Sequence, residues 1–476
     1  MSSVNRQAVQ QLRSSLSNTA LVLTPTSAGY KGSVTPWASS AEKRAGLVVL
    51  PTTATDVAKA IQFSVQNGLE LAVGGEEMTI TAQGGALWAD VDTTAAQFGV
   101  AAVGGTANFV GVGGLTLGGG YGYLSGAHGL VIDNLISVEL VLASGEVVNA
   151  SEVENKDLFW AVRGAGSSFG VATKFVFRAH EQKNLVWGGS LQFNKSQLSD
   201  VIAFANHTME ISQGEATMMV GFSTSANSKA SIVAVVFYNG TEAAAKSFYA
   251  PLLNLNPSFN DTSMVPYSSV NSWHNATVSH GSRRAMKGSA LLTPVNPAFV
   301  EGLFDDYETL MESIDDATKS LVLFDFFSFK KTMSVPQTAT SFANRGAFIN
   351  VLFAPAWESK NLDTVCQEWT LSVAAKTQAE LERQKSAGTD ETTQFAAGEY
   401  KNYDGFGSSS PEKLFGVNFE RLVALKKHYD SENIFAKGHN LLPGTQARGN
   451  VVRSSLVPER VNAISETPGR KVATVA

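Results

Sequence analysis

Cysteine occurs once in this 476-residue chain, at Cys366, so no intramolecular disulfide can form. Its segment, Leu362 to Leu381, has the spacing of an amphipathic helix, and a buried structural thiol is the plain reading. A basic excess is also lacking. There are 36 Lys and Arg against 42 Asp and Glu, a net charge of -6, which argues against nucleic acid or an anionic membrane as the main partner. No apolar run reaches the ~18 residues that suggest a membrane helix. The polar start, Met1 to Gln7, lacks the basic-then-apolar pattern of a signal peptide, so an intracellular, cytoplasmic location is expected. Six Asn-x-Ser/Thr sequons, such as those at Asn149 and Asn206, then read as chance matches. No metal ligand set is assigned. What is present is a 44% hydrophobic and 16% charged composition, enough to bury large cores over two or three domains.

The texture changes along the chain. From Leu47 to Phe177 glycine is frequent and apolar stretches are short. Leu47 to Leu50 reads as a buried strand stopped by Pro51, Thr55 to Val65 as a helix with Thr55 as N-cap, and Leu69 to Val73 as the next strand. Ile136, Val138, Leu140 and Leu142 show strand periodicity, and Ser144-Gly145 suits a hairpin into Val147-Val148. Val171 to Phe177 marks a further strand. Beyond Leu185, strand-like runs (Met218 to Phe222, Ile232 to Tyr238, Leu321 to Phe329, Ala347 to Phe353) are separated by helical segments (Leu198 to Met209, Asn296 to Ile314, Leu362 to Leu381). An α+β fold is expected, with an antiparallel sheet backed by helices in the second part. Gln384 to Asn402 reads as a connector, and Phe419 to Tyr429 as a helix.

The most informative stretch is "GGTANFVGVGGLTLGGGYG", Gly104 to Gly122, with seven glycines in positions 111–122. Missing Cβ atoms let a flat ligand approach the backbone and permit positive φ. The N–H groups of such a loop can face phosphate or ring oxygens. Tight packing of turns is the competing explanation. A Rossmann fingerprint fits poorly, because the strand before, the helix after and the acidic residue ~20 positions on are not in frame.

That stretch continues into "YLSGAHGLVIDNLISVELVLASGEVV", and later come "DLFWAVRGAGSSFGVATKFVFRAH" and "YKNYDGFGSSSPEKLFGVNFERLVALKKHYDSENIFAKGHNLLP". Together these resemble the FAD-binding domain of the vanillyl-alcohol-oxidase (PCMH) type. More narrowly, they resemble fungal berberine-bridge-enzyme-like oxidoreductases. The resemblance implies a two-lobed FAD-binding domain (37–182), a substrate domain (183–394), a C-terminal segment returning to the flavin (395–450) and a tail (451–476). It implies that the backbone from Gly105 and Thr106 through Val112, Gly113, Gly114, Gly118, Gly119, Gly120, Tyr121 and Gly122 lines the flavin, with Asn134, Gly170 and Val171 nearby. Tyr400, Asn402 and Tyr403 would approach the ring. Asn440 matches the second asparagine of a family Asn-x-Asn whose first position is here Gly438. Asn402 and Asn440 are equally readable as turn caps.

In many members of that family a basic glycine loop ending in histidine holds the pyrophosphate. The histidine bonds the flavin, and a cysteine makes a second bond. Here Gly75 is followed by Glu76 and Glu77, and the cysteine position is Ala107. Both anchors are absent, and "MTITAQGGALWADVD" resembles a segment that normally lies well downstream. A carboxylate ~4 Å from one phosphate charge costs about 4 kcal/mol near a protein surface. Either the glutamates point to solvent, or non-covalent FAD binds weakly, or FAD is absent; a misassigned splice site would produce the same junction.

With FAD, the resemblance implies oxidation of a small aromatic or polyketide-derived molecule, a sorbicillin-type phenol for example, with O2 as final acceptor. Base candidates are Tyr403, Tyr400 and Asp325. A tyrosine base needs a lowered pKa, which Lys330, Lys331 or Lys401 would supply if close. Asp325, in "LVLFDFFSFKK", is either a desolvated base or a strand residue facing solvent. His128 reads as a turn residue. The other classes are a non-redox catalyst of cyclisation or dimerisation on the same scaffold, and a binding protein without catalysis.

Overall fold

The computed structural model describes residues 78–442 except 225–229, 274, 276–280, 315, 318, 389–396 and 438, together with 13–17, 20–24, 26–27, 29–30, 48–50, 55–56, 466–467 and 470–471. The expected strand Leu69 to Val73, most of the helix after Thr55, and Gly75 to Glu77 lie outside them. Val48–Leu50 does form a strand, paired antiparallel with Leu21–Leu23.

Four strands make the first sheet: β1 (Thr79–Gln83), β2 (Leu135–Val141), β3 (Val147–Ser151) and β4 (Val171–Arg178), in the order β1-β4-β2-β3 and antiparallel throughout. The β2–β3 hairpin turns at the expected glycine, Gly145, whose φ of +86° suits a residue without Cβ. Helices α1 (Trp88–Ala96), α2 (Val112–Leu117) and α3 (Lys156–Ala165) belong to this lobe. Phe175 and Phe177 lie two apart on β4 and so share a face, where they join Trp88 and Phe159 in one buried core.

The second sheet holds β5 (Val186–Phe193), β6 (Ala216–Thr224), β7 (Ala230–Tyr238), β8 (Lys287–Leu292), β9 (Leu321–Phe327) and β10 (Phe348–Ala354). Their order is β5-β7-β6-β9-β10-β8, with the short strands Phe259–Asn260 and Ser263–Val265 added along β5. Helices α4 (Leu198–Ile211), α5 (Tyr267–Val270), α6 (Pro297–Ser313) and α7 (Asp363–Ser386) lie in this part, and α8 (Phe419–Tyr429) follows near the C-terminus. The fold is α+β. Among the described residues, no helix is long and apolar enough to cross a membrane.

β9 and β10 are buried on both faces, which is why their sequences read as nearly unbroken apolar runs. Alternation sorts the two faces. Val322, Phe324 and Phe326, with Ile349, Val351 and Phe353, pack with residues of α4, α6 and α7. Leu323, Phe327, Leu352 and Ala354 instead join the core of the first lobe. Asp325 and Asn350 are opposite each other in the ladder and fall on this second, inner face. A buried bidentate pair crosses from one lobe to the other: Arg345 donates to the Asp133 carboxylate at 2.7 and 3.0 Å. Cys366 is buried on α7, and burial pushes its thiol up to about 12.

Candidate active site

The chain returns to the glycine stretch at Tyr400–Tyr403. The Gly120 N–H donates to the Tyr400 hydroxyl at 3.0 Å, and Asn402 Nδ2 donates to the same hydroxyl at 2.8 Å and to the Leu115 carbonyl at 3.0 Å. Asn402 seats there because position 118 lacks a Cβ, which would stand 1.8 Å from its Oδ1. Gly119 and Gly120 have φ of +122° and +86° and pack on Phe342 and Val131, while Gly122 packs on the Gly104 carbonyl. At Gly118, Gly119, Gly120 and Gly122 the place a Cβ would take is thus already filled by protein, so tight packing accounts for these four glycines. The earlier part differs. Val112 and Gly113 are buried, and Gly105 packs on Leu115 and Trp88. Thr106 and Ala107, however, are half-buried, and their N–H groups make no backbone hydrogen bond among the described residues. Gly114 is exposed, with nothing within 4 Å of where its Cβ would be.

Tyr403 crosses from this segment to the second sheet. Its Cβ packs on Gly288 of β8, and its hydroxyl donates to Asp325 Oδ2 at 2.8 Å. Asp325 is only 3% exposed, so the solvent-facing alternative is overturned by the inner-face register of β9. Burial pushes its carboxyl up to about 7, against the opposing effect of the Tyr403 bond. Asp325 Oδ1 and Asn350 Oδ1 are buried without a partner. Tyr121 and Tyr400 meet edge-on at 5.1 Å, and Tyr400 and Tyr403 at 4.9 Å. A cavity of about 10 Å³, room for one water, borders Tyr121, Asp325, Ser328 and Asn350.

The expected lysine assistance is not there. Burial first, and then the Asp325 charge, hold the Tyr403 hydroxyl well above its ordinary value. Lys330 Nζ donates to the carbonyls of Glu210 and Ser212, and Lys401 Nζ to Ser167 Oγ. Lys331 acts on His128 instead, adding to burial in lowering that imidazole. Tyr403 is therefore a neutral phenol with a carboxyl partner rather than a lysine-activated phenolate. Tyr400 and Tyr121 are also pushed upward, chiefly by burial.

The other expected residues have structural partners. Asn134 donates to the carbonyls of His128 and Leu130 and bonds His180 at 2.8 Å through Oδ1. His128 closes a short helical turn and stacks on His180 at 3.6 Å. Gly170 packs on the Val141 carbonyl, and Val171 pairs with Val141. Asn440 Oδ1 accepts from Asn433 Nδ2 and the Leu442 N–H, a turn cap as the alternative reading had it. Asn350 escaped sequence reasoning, although a lone amide inside "FINVLFA" was a signal. So did a buried ionic knot: Lys287 Nζ donates to Asp404 at 2.9 Å, Glu399 at 2.8 Å and Ser409 Oγ at 2.6 Å, and His439 Nε2 meets Asp404 at 2.8 Å. Burial opposes the Asp404 charge, but His439, the Ser409 N–H and Lys287 outweigh it and hold the carboxyl far below its usual range. The knot ties both flanks of Tyr400–Tyr403 to β8.

Two family models match the chain: an FAD binding domain over residues 71–151, and the berberine and berberine-like domain over residues 398–441. The FAD-linked oxidoreductase pgmH of Aspergillus terreus is 30% identical over 93% of this chain and 97% of its own length. The chain belongs to the FAD-linked oxidoreductases of the berberine-bridge-like family. The FAD-linked oxidoreductase srdI of Neurospora crassa is 26% identical over 90% of each chain. Among solved structures, Physcomitrella patens BBE-like 1 superposes with a TM-score of 0.75 at 18% identity, covering 91% of this chain and 99% of that one. For 6-hydroxy-D-nicotine oxidase from Arthrobacter nicotinovorans the TM-score is 0.72 at 22% identity, covering 89% and 98%. The fold is thus that of the PCMH-type FAD oxidases. FAD is the cofactor of this family, and the half-buried N–H groups of Thr106 and Ala107, unbonded among the described residues, fit a ring that accepts hydrogen bonds, while Gly114 leaves open space where its Cβ would be.

Proposed function

We propose that this FAD-dependent oxidoreductase oxidises a small aromatic or polyketide-derived metabolite in fungal specialised metabolism, with O2 as the final acceptor. The Tyr403–Asp325 hydrogen bond carries the reading, because it puts a proton-accepting pair on the inner face of the sheet, one residue from the contact between Asn402 and the glycine stretch. Thr106, Ala107 and Gly114 hold the flavin, non-covalently at this position because Ala107 offers no thiol. Bound FAD supplies the hydride acceptor. The substrate hydroxyl gives its proton to the Tyr403 oxygen, and the Tyr403 proton moves along the 2.8 Å bond to Asp325 Oδ2. Asp325 takes it readily because burial has raised its affinity for protons. Asn350 Oδ1, without a protein partner beside it, accepts a hydrogen bond from a polar substituent of the substrate.

The test is an absorption spectrum of the purified protein, repeated on the supernatant after acid precipitation, followed by oxygen uptake with a panel of phenolic polyketides. Flavin released wholly to the supernatant, and oxygen uptake lost in Asp325→Asn and Tyr403→Phe, supports the reading. Absence of flavin after incubation with FAD, or turnover without oxygen uptake, overturns it in favour of non-redox cyclisation or dimerisation.

A further inference from the structure

A second cavity, of about 110 Å³ and of mixed polar and apolar lining, opens where the first lobe meets the second sheet. Helix α1 brings Asp92 and Ala96 to it, the short strand after α1 brings Val100, and Leu185, Pro266 and Tyr267 line it from the second part of the chain. Asn271, which closes α5, donates Nδ2 to Asp92 Oδ2 at 2.6 Å. Three polar atoms remain without a partner: Asp92 Oδ1, Asn271 Oδ1 and the Tyr267 hydroxyl. Their residues are 2%, 0% and 5% exposed. Buried polar groups are ordinarily hydrogen-bonded, so three orphans in one place need an explanation.

Their chemistry selects a ligand. A carboxylate oxygen and an amide oxygen only accept, and a phenol can do so as well. Among the described residues no lysine or arginine forms an ion pair with Asp92. Lys183, which also lines the cavity, is engaged by Glu181 at 3.0 Å, and Gln182 Nε2 by the Asn184 carbonyl and Asn239. Ala96, Val100, Leu185 and Pro266 supply apolar wall. We propose that this cavity binds a small primary ammonium ion, with its N–H groups on Asp92 and Tyr267, Asn271 fixing the carboxylate, and a short alkyl chain against the apolar wall. The occupant sits behind the flavin loop. Asn108 donates its N–H to the Asn271 carbonyl at 3.0 Å, and Ala89 donates to the Asn108 carbonyl at 2.8 Å.

The experiment is calorimetric titration of the FAD-loaded full-length protein at pH 8 with propylammonium chloride, against 1-propanol and sodium chloride at matched concentration. Saturable binding of propylammonium is expected, with propanol and salt giving none. Asp92→Asn should weaken it about tenfold or more, and Tyr267→Phe by less, since a hydrogen bond to a charged group is worth more than one to a neutral group. Propanol binding as well as the amine, no saturable heat, or unaltered affinity in Asp92→Asn would overturn the proposal, because the cavity would then hold only water or unselective apolar guests. If Asp92→Asn does not fold, the comparison of the three ligands on the wild-type protein decides by itself.

Discussion

Two buried aspartates, one in each half of the molecule, make an instructive pair. Asp92 on α1 and Asp325 on β9 are both almost fully buried, and burial pushes both carboxyls up to about 7. One hydrogen bond opposes the shift in each case, from Asn271 and from Tyr403 respectively. The electrostatic perturbation is therefore nearly the same, and the partner makes the difference. An amide cannot pass on a proton at neutral pH, whereas a phenol can accept one while releasing its own. A raised carboxyl pKa alone does not mark a catalytic residue, so the proposal for Asp325 rests on its bond to a phenol, a group able to relay a proton.

The largest expected effect separates the two carboxyls. Asp325→Asn should lower kcat by about 10²–10⁴-fold, the usual worth of a positioned general base, and Asp92→Asn by far less. Comparable losses in steady-state oxygen uptake would break the comparison. Tyr403→Phe follows at about 10²-fold, with KM changing less than kcat if the hydroxyl acts on the proton rather than on binding.

A pH profile is the third handle. Asp325 must be ionised to receive the Tyr403 proton, so kcat should rise with pH through about 7. That ascending limb should vanish in Asp325→Asn and persist in Asp92→Asn. The last handle is stability rather than rate. A carboxyl whose folded pKa is raised from 3.8 to about 7 favours folding when protonated, so that stabilisation is present at low pH and is lost as pH rises from about 4 to about 7. Asp325→Asn should therefore be more stable than wild type at pH 8, by at most on the order of 4 kcal/mol, and the advantage should shrink towards pH 4. Denaturant melts at both pH values check it; a less stable variant at pH 8 would mean that Asp325 is held by contacts other than the Tyr403 bond.

Much of the fold was legible. The hairpin at Gly145, the apolar runs that became β6, β7, β9 and β10, and the helices α4, α6, α7 and α8 followed from periodicity and turn chemistry, because those signals act over a few residues. The site was legible only as a set of names. "YKNY" pointed to Tyr400 and Tyr403, but their partners lie far away in sequence. For Asp325, the flanking Phe324 and Phe326 were consistent with either face, and lysines near in sequence suggested a partner for Tyr403 that turned out to be a carboxyl.

The sequence by itself determined which residues alternate, where the chain turns, and that no intramolecular disulfide exists, since each depends on local geometry or on composition. It also determined, through family likeness, that the chain is an FAD-linked oxidoreductase. Only the tertiary structure decided that both faces of β9 are covered, that Asp325 lies 2.8 Å from the Tyr403 hydroxyl, and that Gly118 to Gly122 pack on protein while Gly114 stays open. The reason is physical. Desolvation and hydrogen bonding between distant segments depend on what the second layer brings over a strand, and alternation along a strand does not encode which layer that will be.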